Sequence, residues 1–97
     1  MKISIGSDHA GFELRKKLID KIASLGHEAV DRGPFASSSV DYPDFAALVA
    51  EDVVNGTAER GVLVCGTGIG MSMAANKVRG IRAALVYDTE TAKLSRQ

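Results

Sequence analysis

The sequence predicts a single α/β domain, a three-layer α/β/α sandwich built on a parallel β-sheet. Short β-prone runs alternate along the chain with longer segments of helical period, which is the pattern of β-α-β units. Residues 61–65 are continuously apolar, as expected of a strand that is covered on both faces of a parallel sheet. With 97 residues the chain is long enough for one hydrophobic core only.

The first half of the chain predicts a strand, a helix and a second strand. Residues 3–7 are β-prone, and residues 10–25 then switch to a helical period that Gly26 is placed to close. The residues expected on the apolar face of this helix are Leu14, Leu18, Ile22 and Leu25. Residues 28–31 offer a weaker second strand.

The second half continues the alternation. Residues 41–44 combine a capping aspartate, a proline suited to the first helical turn and a further acidic residue, so a second helix is expected to start there. Residues 61–65 follow as the central strand, residues 71–78 as a third helix and residues 83–87 as a fourth strand. A last helix is expected from about Asp88.

This succession predicts a Rossmann-like sheet of four parallel strands in the order 2-1-3-4, with an exposed edge on the fourth strand.

Composition and charge exclude several classes of partner. Twelve basic residues balance twelve acidic ones, so the chain has no basic field that would attract nucleic acid or a membrane surface. Cys65 is the only cysteine, which excludes an intrachain disulfide and favours a reducing compartment. We find no export signal and no apolar run of the ~20 residues that a membrane-spanning helix needs. We therefore expect a soluble, cytoplasmic protein.

Polar residues cluster after two of the predicted strands. Asp8 and His9 follow the first strand, and residues 65–70 follow the third. In open parallel sheets, ligands bind at the carboxyl ends of the strands, where the strand order reverses. We therefore expect the two clusters to share one cleft.

Gly66, Gly68 and Gly70 stand at alternate positions just before a predicted helix. Such a loop lets several backbone N–H groups converge on an anion, although a tight turn that needs glycine only for close packing would have the same spacing. A dinucleotide-binding fingerprint would need its third glycine one position later, where Met71 stands, and would follow the first strand. The loop is therefore interpreted as an anion site without a dinucleotide.

Side chains beside this loop could move protons. Convergent amides at a helix start favour the thiolate of Cys65, which could then act as a general base, whereas a buried core cysteine is the alternative. The imidazole of His9 could hold a phosphate or transfer a proton, and Asp8 could orient hydroxyls or merely cap the helix. Two distant histidines and one cysteine form no metal-ligand set of recognisable spacing, so no metal is expected.

The sequence resembles the ribose-5-phosphate isomerase B family along its whole length. The matching segments are residues 6–11 (GSDHAG), 41–43 (DYP), 65–70 (CGTGIG), 74–77 (AANK) and 94–97 (LSRQ). The resemblance implies an enzyme that interconverts ribose 5-phosphate and ribulose 5-phosphate through an enediolate, without a metal or an organic cofactor. Two alternatives stay open: a galactose-6-phosphate isomerase subunit, and a non-catalytic module that binds a sugar phosphate or a nucleotide.

The resemblance also implies roles for individual residues. Cys65 would be the base that takes the C2 proton and returns it at C1, and Thr67 would add a hydroxyl hydrogen bond to the developing oxyanion. The residues that would bind the substrate are Asp8, His9, Tyr42, Gly66, Gly68, Ile69, Gly70 and Asn76. Among these, Asp8 would hold sugar hydroxyls or the ring oxygen, and His9 would contact the phosphate.

The resemblance further implies a homodimer or a dimer of dimers with each active site at a subunit interface. Members of the family continue for roughly a third of their length beyond the position of Gln97. That part is expected to supply a histidine that opens the furanose ring and arginines that grip the phosphate.

Overall fold

Three parallel strands form the sheet in the computed structural model, which describes residues 1–34 and 42–97, with the side chain of Tyr42 excepted. These strands are β1 (Lys2–Ser7), β2 (Glu28–Asp31) and β3 (Arg60–Val64), and their order is β2-β1-β3. In the register, Ile3 lies opposite Ala29 of β2 on one side and Arg60 of β3 on the other. The central strand is therefore β1, where Ile5 is completely buried.

Four helices accompany the sheet in the described residues: α1 (Phe12–Ser24), α2 (Tyr42–Val54), α3 (Ile69–Asn76) and α4 (Thr89–Ser95). Helix α1 joins β1 to β2, and α2 leads to β3 on the other side of β1. Since parallel crossovers are right-handed, these opposite steps place α1 and α2 on opposite faces of the sheet. The parallel α/β architecture is confirmed. No helix in the described ranges is both long and apolar enough to cross a membrane.

Small residues let α2 pack closely on the sheet. A Cβ atom added to Gly6 would lie 3.0 Å from a methyl group of Val49, and one added to Gly61 would lie 2.7 Å from the other. Next to this contact, the buried Ser4 hydroxyl donates to Asp52 Oδ2 at 2.7 Å. Strands β1 and β3 are thus fixed to α2 by close packing and by a buried polar contact.

The predicted fourth strand is wrong for the described residues, and with it the order 2-1-3-4. The Ala83 N–H donates to Asn76 Oδ1 at 2.8 Å, and the Ala83 carbonyl accepts from Asn76 Nδ2 at 2.9 Å. A side-chain amide therefore takes the backbone groups that a strand would offer to β3. The side chains of Leu85, Val86 and Tyr87 are 40%, 44% and 80% exposed.

Two further expectations change with the strand order. The central strand is β1 and not residues 61–65, because no described residue pairs with the outer side of β3. For the same reason, the exposed edge of the sheet lies on β3 and not on residues 83–87.

The predicted apolar face of α1 is only partly right. Ile22 is buried, but Leu14 and Leu25 are 51% and 62% exposed, and the other buried residue of this helix is Arg15. The helix ends as predicted, with Gly26 in the left-handed conformation at φ +85°. The buried face of α1 therefore includes Arg15, although a charged side chain is normally expected on the solvent side of a helix.

Contacts with the turn after β2 explain why Arg15 is buried. Its guanidinium Nη2 donates to the Pro34 carbonyl, and its Nε lies 3.6 Å from Asp31 Oδ1. The guanidinium carbon also lies 5.1 Å from the centre of the Phe12 ring. A buried cation is tolerated when such partners replace water. Two of these partners, Asp31 and Pro34, are distant from Arg15 in the sequence.

Candidate active site

The two predicted polar clusters meet at the carboxyl end of the sheet. Ser7, the last residue of β1, is in register with Val64, the last residue of β3. The Asp8 N–H continues this pairing by donating to the Val64 carbonyl at 3.1 Å. After β1 the chain moves to β2 on one side of this strand, and it later reaches β3 on the other side. Asp8 and Cys65 therefore flank the point where the strand order reverses.

A cavity of about 250 Å³ opens between these two strand ends. Its lining residues are Asp8, Cys65, Gly66, Thr67, Gly70 and Met71. Ligand pockets commonly measure ~300–1,000 Å³, so this cavity lies just below the usual range. Among the residues that the structure describes, Asp8 is the only charged one in the lining, and none of them contributes a basic side chain.

Asp8 is held by the start of α1. Its Oδ1 accepts the Gly11 N–H at 2.8 Å, in the turn that leads from β1 into α1. Gly11 is the N-cap of α1 and has no side-chain cap, so Asp8 does not cap the helix as one of the two sequence interpretations expected. Gly11 itself lies against the end of β3, where an added Cβ would be 2.5 Å from the Val64 carbonyl oxygen. The absence of a side chain at Gly11 therefore sets how closely Asp8 approaches Cys65.

Cys65 is half-buried, and its sulfur accepts a backbone hydrogen bond from the loop that follows it. The donor is the Gly68 N–H, at 2.8 Å from Sγ. Gly68 is in the left-handed conformation, with φ +81°, which glycine adopts at little cost. This hydrogen bond fixes the sulfur beside the loop that lines the cavity.

The remaining amides of the loop fall into two groups. The Ile69 N–H is already used, because it donates to Thr67 Oγ1 at 3.2 Å. Within the described ranges, the N–H groups of four residues have no hydrogen-bond acceptor: Gly66, Thr67, Gly70 and Met71. All four residues line the cavity. Anion-binding donors are therefore present, but they are not the amides of Gly68 and Ile69.

Met71 is the cavity residue that the sequence analysis did not assign to the site. It is 1% exposed and lies in the first turn of α3, where its side chain joins the core while its N–H remains available. The signal that could have revealed it is its position, since the first N–H groups of a helix have no partner inside the helix.

Four of the predicted substrate-binding residues, including Gly68, lie apart from the cavity lining. His9 is exposed, and its carbonyl accepts the Phe12 N–H at 3.3 Å. Ile69 is 53% exposed at the start of α3. Asn76 ends α3, and its amide nitrogen donates to the carbonyls of Ser72 and Ala83. The Tyr42 side chain and the Asp41 cap lie outside the described residues.

A metal site has no basis in the part of the chain that the structure describes. No group of three or more histidine, cysteine, aspartate or glutamate side chains is arranged there to hold an ion. The donors around the cavity are instead amides, a thiol and one carboxylate.

Comparison with known proteins identifies the lineage of this site. The family model for ribose/galactose isomerase matches residues 3–97. The chain belongs to the ribose/galactose isomerase family. The resemblance found in its motifs is thereby confirmed.

Relatives within the ribose/galactose isomerase family share the fold closely. The structure of ribose-5-phosphate isomerase B from Clostridium thermocellum is 50% identical, with a TM-score of 0.96 over 99% of this chain and 65% of that chain. A second structure is ribose-5-phosphate isomerase B from Mycoplasma genitalium with bound ribulose-5-phosphate. It is 46% identical, with a TM-score of 0.93 over 99% of this chain and 64% of that chain. Ribose-5-phosphate isomerase B from Escherichia coli (strain K12) is 44% identical over 99% of this chain and 64% of its own length. The chain thus spans slightly less than two thirds of these relatives.

Proposed function

We propose that the chain carries the proton-transfer site of an aldose-ketose isomerase that interconverts ribose 5-phosphate and ribulose 5-phosphate. The observation that carries this proposal is the convergence of the Cys65 thiol, the Asp8 carboxylate and four unpaired amides on one cavity in the described chain. Relatives that cover the whole of this chain bear the name ribose-5-phosphate isomerase B, and one of them holds ribulose-5-phosphate.

The reaction needs a base and a site for negative charge. The Cys65 thiolate takes the proton from C2 of the aldose, and the electron pair of that C–H bond forms the C1–C2 double bond while O1 becomes negative. The thiol then returns the proton to C1, and the proton of the C2 hydroxyl passes to O1, which leaves a carbonyl at C2. No oxidant or reductant is consumed.

The amide loop supplies the stabilisation that this enediolate requires. Preorganised backbone N–H groups stabilise an oxyanion most when water is excluded, and the four unpaired amides border the cavity beside the Cys65 sulfur. Thr67 Oγ1 already accepts the Ile69 N–H, so its own proton is available to donate to substrate. Asp8 uses one carboxylate oxygen to accept the Gly11 N–H, and the other oxygen can orient sugar hydroxyls.

Recognition of the phosphate requires groups beyond the cavity lining. That lining contains one carboxylate and no basic side chain, whereas phosphate sites use charge-assisted donors. We propose that His9, which is exposed next to Asp8, contacts the phosphate, as the family resemblance implies. We therefore propose that arginines from the part of the family fold beyond Gln97, in a homodimer or a dimer of dimers, complete the site.

A six-carbon sugar phosphate is the second candidate substrate, because the family includes galactose isomerases. The motifs of this chain match the ribose enzymes more closely than the galactose enzymes because Cys65 is present. The position of Cys65 beside the amide loop therefore favours the ribose reaction. A non-catalytic binding module would have no use for a sulfur held by a backbone donor at the cavity.

Exchange with solvent deuterium tests the proposed function directly. The chain is incubated in D₂O with ribose 5-phosphate or, in parallel, with galactose 6-phosphate, and the C2 proton is followed by NMR. We expect loss of the C2 proton and deuterium at C1 of the ketose with ribose 5-phosphate. A sample alkylated at Cys65, the only cysteine, serves as the matched control.

Two results would contradict the proposal. Binding of ribose 5-phosphate without isotope exchange would make the chain a binding module, and exchange with galactose 6-phosphate alone would make it a galactose-type subunit.

A further inference from the structure

The segment that was expected to form a fourth strand lies against the amide loop. Asn76 fixes its start by exchanging two hydrogen bonds with the backbone of Ala83, at 2.8 and 2.9 Å. Two residues later, the Leu85 side chain contacts the loop so closely that a Cβ atom on Gly68 would clash with Leu85 Cδ1. Residues 83–85 thus form a strap, anchored on α3 at one end and seated on Gly68 at the other.

The residue beneath the strap is the one that donates to the Cys65 sulfur. Gly68 adopts φ +81° and places its N–H 2.8 Å from Sγ. Glycine populates positive and negative φ with similar ease, so its own backbone preference does not hold this conformation. Leu85 covers the Gly68 Cα on one side, and the hydrogen bond from Ile69 to Thr67 fixes the loop on the other.

We propose that Leu85 is a positioning residue, which keeps the Gly68 N–H directed at the Cys65 sulfur. Leu85 has no place in the cavity lining, and it acts on the reaction only through Gly68. The consequence for catalysis rests on the proposed function, whereas the hydrogen bond from Gly68 to Cys65 exists without substrate. The two claims can therefore be tested separately.

The direct test is the exchange of the Gly68 amide proton, measured by ¹⁵N NMR on the substrate-free chain. Loss of one hydrogen bond is expected to speed this exchange about two- to tenfold in Leu85→Ala. The matched control is Val86→Ala, at the adjacent position with 44% exposure against 40% for Leu85. Leu85→Met conserves side-chain volume and should restore slow exchange.

A second variant loosens the strap from its other end. Asn76→Asp keeps an acceptor for the Ala83 N–H but removes the donor to the Ala83 carbonyl. The rate of Gly68 amide exchange should therefore increase by less than in Leu85→Ala. Amide exchange in β1 shows in each variant that the sheet remains folded.

Unchanged Gly68 exchange in Leu85→Ala, or an equal rise in Val86→Ala, would overturn the proposal. Faster Gly68 exchange in Leu85→Ala, without any isomerase activity when the parent chain is joined to the C-terminal third of the Escherichia coli relative, would leave the positioning role standing and refute the proposed function. Where isomerisation is measured, Leu85→Ala should lower kcat by a factor similar to the change in exchange, with KM unchanged.

Discussion

Arg15 has the largest of the fully buried side chains, and its guanidinium joins α1 to the turn after β2. Arg15→Met should lower the free energy of unfolding by about 1.5–3 kcal/mol, because the Pro34 carbonyl loses a charged donor and the Asp31 carboxylate loses its ion-pair partner. Urea denaturation measures this loss. Lys16→Met, at the exposed neighbouring position, is the control and should change stability by less than ~0.5 kcal/mol. Equal losses in the two variants would contradict the structural role of Arg15.

At the residue scale, the sequence predicts that Asp8 and Cys65 lie near each other, because parallel strands end at one edge of a sheet. It does not predict that Arg15 is buried, because a charged residue is normally expected on the solvent side of a helix and its partners Asp31 and Pro34 are reached only after the chain has folded. The division of the loop amides also depends on the conformation of Gly68, which the spacing of glycines leaves undetermined.

At the scale of elements, Gly11 controls the fit between α1 and β3. Gly11→Ala should destabilise the chain by about 1–3 kcal/mol, because the new Cβ would meet the Val64 carbonyl at 2.5 Å and backbone would have to shift. Thermal or urea unfolding measures this effect. Gly66→Ala is the steric control, since its Cβ would meet only Ala10 Cβ at 3.7 Å. If Gly11→Ala were as stable as Gly66→Ala, the proposed close approach would be wrong.

Helix α4 carries a pH-dependent cap. The Thr91 backbone N–H, followed by the Thr91 hydroxyl, holds the pKa of Asp88 below its ordinary value of 3.8. A carboxyl with a depressed folded-state pKa adds stability above 3.8, and that stability is lost as the pH falls through the folded-state pKa. Amide exchange of Thr91 should therefore accelerate as the pH is lowered below this range, after correction for intrinsic rates.

The variant Asp88→Asn separates the charge from the cap. Asparagine keeps a side-chain acceptor and does not titrate. The corrected rate of Thr91 amide exchange in this variant should therefore not increase as the pH is lowered. The same acid sensitivity in both proteins would show that Asp88 is not the titrating group.

The sequence predicts a strand or a helix end correctly where the local residue pattern agrees with the tertiary structure. Strands β1 to β3 and the left-handed helix stop at Gly26 lie within about one or two residues of their expected positions. Residues 83–87 have strand-like composition, but a strand also needs a partner for its backbone. The Asn76 side chain supplies that partner at Ala83, and composition does not contain this information.

For the whole molecule, the cavity predicts weak binding of phosphate by the 97-residue chain alone. Joining it to the C-terminal third of the Escherichia coli relative should raise affinity for ribose 5-phosphate about tenfold or more for each arginine that binds the phosphate, since such hydrogen bonds contribute ~1.5–3 kcal/mol. Calorimetric titration of both proteins measures the difference. The increase in rate should be larger with ribose 5-phosphate than with ribulose 5-phosphate, which has no furanose ring to open. Equal affinities and rates would show that the joined segment is dispensable.

The most direct test of the central claim is the turnover of Cys65→Ala in this joined protein. A positioned general base contributes about 10²–10⁴-fold, so kcat for ribose 5-phosphate should fall by that factor while binding of the phosphate changes little. Met73→Ala, on the outer side of α3 with 62% exposure, controls for a general effect of substitution near the site. A Cys65→Ala protein that isomerised ribose 5-phosphate at the parental rate would contradict the assignment of the proton transfer to Cys65.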